Sequence, residues 1–379
     1  MSATILEIDQ RTRSLELLLP DLGTDFVYHE DGTLDPAQLL DDPNWTLYGL
    51  DDAQRQAVFV ETPPDFRLID APFYYMAQYQ QARRLAVLPY EALIRLGEAR
   101  GPIPHLIFIY SIGRCGSTLL SNIFNAVEGI VSLSEPDVYS NLLWQRESDG
   151  SRDAELIELA RACTRLLCKP PASGTNPNTY VIKFRNWMIR MGDLLAAALP
   201  EAHNLFLYRS AVSWMASFAR LKHGLDLDAA TLAGFMELME PVDNRFYPEA
   251  VDLAQTLGRP LTEPETAAAG WHGMLERYEQ WQPTIPFLAV RYEDLNAQRE
   301  SVVQAIFEYC AVPTAAVATA LEAFSRDSQE GTLLERAQPD KRESFRLPDE
   351  DVAALKAVLA QYDRINTPEH ILPGTLTLT

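Results

Sequence analysis

The residues best placed to do chemistry stand together in Gly113-Arg114-Cys115-Gly116-Ser117-Thr118, after the apolar run Ile107-Phe108-Ile109-Tyr110-Ser111-Ile112 and before Leu119-Leu120. Two glycines in a turn let backbone N–H groups converge with no Cβ in the way. A helix opening near Ser117 points its partial positive end in the same direction. Ser117 and Thr118 add hydroxyl donors, and Arg114 adds a fixed cation able to grip two oxygens. Such a turn holds a phosphate or sulfate group. A triphosphate loop carries lysine directly after its second glycine, whereas Gly116 is followed by Ser117, which weakens the triphosphate reading.

A second constellation lies further on. Asn204-Leu205-Phe206-Leu207-Tyr208-Arg209 reads as a buried strand of the parallel type, and residues 210 to 220 read as the helix after it. Arg209 closes the strand and Ser217 lies two helical turns on. Both positions can face the crevice where open α/β sheets bind ligands.

With these two motifs the chain resembles the sulfotransferase superfamily, which uses 3′-phosphoadenosine 5′-phosphosulfate as donor. Gly113 to Leu120 is similar to the family's 5′-phosphosulfate loop in its Arg-x-Gly-[Ser/Thr]-[Ser/Thr] form, with Arg114 where many cytosolic members carry lysine. Arg209 and Ser217, eight residues apart, resemble the 3′-phosphate pair. Arg291-Tyr292-Glu293-Asp294-Leu295 is similar to the family's late strand-turn, and residues 301 to 312 to the helix that follows it. Residues 328 to 336 fall where the family closes a glycine-containing loop over the nucleotide, with Glu330 in place of the usual basic residue. The resemblance covers about residues 103 to 340 and implies donor contacts from Gly113, Arg114, Cys115, Gly116, Ser117, Thr118, Arg209, Ser217, Gly331 and Thr332, with Arg336 a further candidate.

Moving a sulfonate from a phosphate leaving group to a hydroxyl builds negative charge on the bridging and equatorial oxygens while the attacking hydroxyl sheds a proton. The site therefore needs cations and one base. Arg114 is the cation supplied by the loop, and Lys183, closing the strand Tyr180-Val181-Ile182-Lys183, is the second. Glu135, 21 residues beyond Arg114, is the candidate base. The layout resembles the protein-tyrosine branch of the superfamily, which places a glutamate base at a similar distance. Many cytosolic members use histidine, but Arg185-Asn186-Trp187 stands where that pattern would put it. Glu135 before Pro136 also fits a turn or helix cap, and Lys183 also fits a strand-end lysine with its head in water. Arg185 and Arg190 are expected to be solvated or paired. The expected reaction needs no metal. The alternatives are a small-molecule kinase with an atypical loop and a non-catalytic nucleotide-binding protein.

These residues require an α/β fold: a P-loop-like parallel sheet flanked by helices, with a helical insertion and an N-terminal extension. The expected division is an extension over residues 1 to 100, an α/β domain over 101 to 345 with its insertion at 221 to 284, and a closing helix and tail over 346 to 379. In the extension, residues 1 to 66 read as a small irregular or β-containing region. Phe73, Tyr74, Met76, Ala77, Tyr79, Ala82 and Leu85 are spaced as one amphipathic helix over 72 to 88. A chain of 379 residues, 47% of them hydrophobic, can bury one large core and a small addition to it.

With 32 Lys and Arg against 53 Asp and Glu, the net charge is −21, which excludes non-specific nucleic-acid binding and disfavours highly anionic polysaccharide acceptors. A small-molecule or peptidyl hydroxyl acceptor fits better. Met1 to Gln10 lacks a secretory pattern, no run approaches the ~18 to 20 apolar residues of a membrane span, and Cys115, Cys163, Cys168 and Cys310 show no metal-like or disulfide spacing. The expectation is a reduced cytoplasmic protein with no membrane span.

Overall fold

The computed structural model describes residues 2–15, 18–171, 177–224, 229–328 and 346–378. Their strands are β1 (Ala3–Arg11), β2 (Phe26–Leu34), β3 (Trp45–Asp51), β4 (Gln56–Glu61), β5 (Arg84–Pro89), β6 (Leu106–Ser111), β7 (Ile130–Ser134), β8 (Thr179–Lys183), β9 (His203–Tyr208) and β10 (Phe287–Arg291). β1 to β5 form an antiparallel sheet in the order β2-β1-β5-β4-β3. β6 to β10 form the second sheet, in the order β10-β9-β6-β8-β7. Its outer pairs run parallel, Ile130↔Thr179 to Ser134↔Lys183 on one side and Phe287↔Asn204 to Arg291↔Tyr208 on the other. The fold is thus α/β, with a parallel sheet flanked by helices. The strand order reverses at β6, and ligand sites of open α/β sheets form at the carboxyl ends of strands at such a reversal.

The chain divides into two compact units, residues 1–108 with 124–203, and residues 109–123 with 204–379. In the first, the β-containing alternative for residues 1 to 66 is the one found, because β1 to β4 account for much of residues 3 to 61. The single amphipathic helix expected over 72 to 88 is instead a helix at Tyr74–Gln81 followed by β5. Leu85, Ala86, Val87 and Leu88 are all buried, and β5 lies between β1 and β4 in the sheet. A continuous apolar run suits a strand covered on both faces, and Ala82, at φ −55° and ψ 126°, breaks the helical path before it. Arg13 pairs with Asp25 at 2.5 Å, both side chains about 1% exposed, and the Tyr48 hydroxyl donates to Asp25 at 2.6 Å. Such a buried pair positions more than it stabilises, although removing one partner costs about 3–5 kcal/mol.

The second unit holds the end of β6, the glycine turn, most of the helix Ser117–Asn125, β9 and β10. Among the described residues between β9 and β10 there are four helices: Ala211–Gly224, Ala229–Phe246, Pro248–Leu257 and Glu263–Trp281. Thr262 and Glu265 form a reciprocal capping box at the start of the last. The closing helix Asp349–Leu359 packs on it. The four cysteines are buried free thiols. Among the described residues no helix is long and apolar enough to cross a membrane.

Candidate functional site

In the second unit the turn after β6 has three residues in the left-handed conformation, Gly113 at φ +76°, Arg114 at +53° and Gly116 at +82°. Glycine adopts this freely, whereas an arginine there costs about 1–2 kcal/mol and must be held. The holding contact comes from the second motif: Arg209 Nη1 donates to the Arg114 carbonyl at 2.7 Å. Arg114 Nε in turn donates to Ser217 Oγ at 3.4 Å. Arg209, Ser217 and the glycine turn are therefore joined by hydrogen bonds. Cys115 Sγ donates to the Leu207 carbonyl at 3.3 Å. Ser117 and Thr118 are buried at the start of their helix, and Ser117 Oγ accepts from Ser111 at 3.2 Å.

Two indoles hold the frame. Trp214 donates to the Ile112 carbonyl and Trp271 to the Arg209 carbonyl, each at 3.0 Å. The late strand-turn contributes Tyr292 and Glu293. The Tyr292 ring lies 4.4 Å beneath the Arg209 guanidinium, and Glu293 accepts from Ser210 N–H at 3.1 Å and Ser213 Oγ at 2.9 Å. A Cβ added at Gly116 would stand 3.0 Å from the Tyr292 ring, so this glycine is required by both space and backbone. Arg209 is buried, and among the described residues it forms no ion pair. Burial holds its guanidinium below its ordinary value, against the opposing pull of Tyr292 and Glu293. A desolvated cation with no counter-charge at ion-pair distance favours an anionic ligand.

The first unit holds the other candidates. Glu135 follows β7 at φ +62°, and its N–H donates to the Lys183 carbonyl at 2.7 Å, extending the β7/β8 ladder by one rung. Its carboxylate is ion-paired with the Lys183 ammonium, with 4% of the lysine side chain and 14% of the glutamate exposed. Lys183 is therefore buried and paired rather than snorkelling into water. Its ammonium also lies 5.9 Å from the centre of the Phe73 ring. The Glu135 carbonyl accepts from Tyr75 N–H at 3.3 Å, and Ser134 Oγ donates to the Pro72 carbonyl at 2.7 Å. The N-terminal residues 72 to 75 thus brace the strained glutamate. Backbone strain of this kind concentrates at functional sites, and both Arg114 and Glu135 carry it.

A second ion pair sits two residues beyond the first. Arg185 Nη1 donates to Asp137 Oδ2 at 2.6 Å, and Arg185 stacks on Trp187 at 4.2 Å and Tyr75 at 4.8 Å. Burial pushes the Asp137 carboxyl up to about 6, against the pull of Arg185. Of the two states expected for Arg185, paired is the one found. Arg190 is buried as well. Gly331, Thr332 and Arg336 lie outside the described residues. Sequence reasoning missed Asp137, Tyr75, Trp214 and Trp271. The repeated separation of 48 residues in Glu135/Lys183 and Asp137/Arg185 was the available signal for the second pair.

A family model described as Sulfotransferase family matches residues 104–316. No curated protein matches the chain. Among solved structures, a sulfotransferase domain from the curacin biosynthetic pathway is 15% identical, covering 69% of this chain and 98% of its own, at a TM-score of 0.41. A mouse sulfotransferase complexed with PAP is 10% identical, with coverage of 71% and 88% and a TM-score of 0.40. A sulfotransferase from Mycobacterium avium is 12% identical, with coverage of 72% and 80% and a TM-score of 0.40.

Proposed function

Because this chain belongs to the sulfotransferase family, we propose that it transfers a sulfonate from 3′-phosphoadenosine 5′-phosphosulfate to the hydroxyl of a small or peptidyl acceptor. The observation that supports the reading is the 2.7 Å bond from Arg209 to the Arg114 carbonyl, which ties the strand-end arginine to the glycine turn and so sets two anion grips side by side. A ligand with two separated phosphate groups needs two such grips. The turn residues Gly113, Arg114, Gly116, Ser117 and Thr118 take the 5′ end, and Arg209 and Ser217 take the 3′-phosphate. Cys115 contributes through its backbone, because its thiol is spent on Leu207.

In the transfer step the acceptor oxygen bonds to sulfur as the bond from sulfur to the 5′-phosphate oxygen breaks. The acceptor proton passes to the Glu135 carboxylate, and adenosine 3′,5′-bisphosphate leaves. Arg114 and Lys183 offset the charge that builds on the bridging and sulfonate oxygens. The Glu135–Lys183 ion pair is the resting form of this machinery. The ammonium shifts its hydrogen bond to the sulfonate and frees a carboxylate oxygen for the acceptor proton.

Thermal unfolding with added ligand tests the reading. Adenosine 3′,5′-bisphosphate should raise the midpoint in a concentration-dependent way, whereas ATP with magnesium should not. Arg209→Ala should abolish most of that rise, since each charge-assisted contact is worth about 1.5–3 kcal/mol. Stabilisation by ATP alone, or an unchanged response in Arg209→Ala, refutes the assignment.

A further inference from the structure

At the other end of β8 from Lys183, within the first unit, a cavity of about 160 Å³ is lined by Arg100, Arg165, Tyr180, Ile103, Pro104 and Pro177. Arg100 and Arg165 stand in the last turns of the helices Tyr90–Arg100 and Asp153–Leu167. These helices approach closely enough that a Cβ on Gly97 would lie 2.7 Å from Ala162 Cα, which brings the two arginines together. The Nε atoms of both guanidinium groups are buried and have no hydrogen-bond partner. Among the described residues neither arginine has a carboxylate at ion-pair distance, and Arg100 Nη2 has one weak contact, to the Cys168 carbonyl at 3.4 Å. The neighbouring sequence from Lys169 to Asn178 contains no acidic residue.

Arginines at helix ends ordinarily serve the terminal carbonyls, but that role leaves neither Nε accounted for. Each helix end contributes roughly half a negative charge, so two guanidinium groups leave the cavity positive by about one charge. Water would supply acceptors without neutralising that charge. Tyr180 completes the donor set. Burial pushes its phenol up to about 12, against the opposing pull of Arg100, so it remains a neutral donor. A cavity of this size, walled by proline and isoleucine and furnished with two cationic forks and a phenol, has room for a tetrahedral oxyanion but not for a nucleotide.

We propose that this cavity is a binding site for a small inorganic oxyanion, sulfate or phosphate, separate from the anion pocket formed by the Gly113–Thr118 turn and Arg209. Guanidinium N–H groups grip its oxygens from two sides, and the Tyr180 hydroxyl donates to a third.

Crystals of the full chain soaked in a few millimolar selenate test this directly, because selenium is located by its anomalous scattering. The expected result is a peak within hydrogen-bonding distance of both guanidinium groups, absent from the Arg100→Gln/Arg165→Gln variant while any peak at the Gly113–Thr118 turn persists. Calorimetry with sulfate and with phosphate at constant ionic strength distinguishes the two ions. The tighter one should bind the double variant at least about tenfold more weakly, the loss of one charge-assisted contact or more. An empty cavity in the wild-type soak, or a peak that survives in the variant, overturns the proposal.

Discussion

Replacing Glu135 by glutamine separates its two roles, partner of a buried cation and acceptor of a proton. Glutamine keeps the shape and one acceptor oxygen but leaves the Lys183 ammonium, 4% exposed, without a counter-charge. Removing one member of a buried pair costs about 3–5 kcal/mol, and the Phe73 ring at 5.9 Å offers only a fraction of that in return. The expected loss in chemical unfolding is therefore about 3 kcal/mol. Glu135→Gln/Lys183→Met removes both charges and should recover most of it, giving a large coupling energy in a double-mutant cycle. Catalysis should behave differently: both variants lose the base, so turnover falls at least about 10²-fold in each. Release of adenosine 3′,5′-bisphosphate across a panel of alcohols and phenols reads turnover, and calorimetry with the same nucleotide should show binding retained. Additive losses in the cycle would refute the buried pair. Turnover within about fivefold of wild type would remove Glu135 as the base.

What the sequence made legible was local. A glycine turn between an apolar strand and a helix is a contiguous pattern, and Arg209 with Ser217 is set by strand and helix geometry a few residues long. Glu135 and Lys183 were legible as strand ends, but their direct pairing depends on β7 and β8 being neighbours with Ser134 opposite Lys183, a register that no single segment carries. The same register creates the Asp137–Arg185 pair. The N-terminal sheet was obscured for a different reason. Helical spacing through Phe73, Met76 and Tyr79 continues by accident into Ala82 and Leu85, while the features that end the helix, the turn at Ala82 and burial of both faces of β5, are tertiary. The bracing of Glu135 by Tyr75 was hidden likewise, since a backbone N–H has no side-chain signature.

Two further perturbations probe the frame around these sites. Gly116→Ala imposes a left-handed alanine at φ +82° and a Cβ 3.0 Å from the Tyr292 ring. It should cost roughly 1–3 kcal/mol and weaken nucleotide binding together, read by unfolding and calorimetry; full binding in a stable variant would show that the turn tolerates a side chain. The second concerns the balance between burial and pairing at Asp137. With the native carboxyl at about 6 and an unfolded aspartate near 3.9, the native state holds the extra proton between those values. Stability contributed by this group is therefore greatest below about pH 4, declines as pH rises toward about 6, and is flat above that. Asp137→Asn does not titrate, so the stability of wild type relative to the variant should shrink across that interval in denaturant unfolding at each pH. Were the Arg185 contact at 2.6 Å to outweigh burial, the carboxyl would lie below its ordinary value and the difference would grow with pH. The sign of the slope thus decides whether desolvation or the neighbouring guanidinium governs the carboxylate two residues from Glu135.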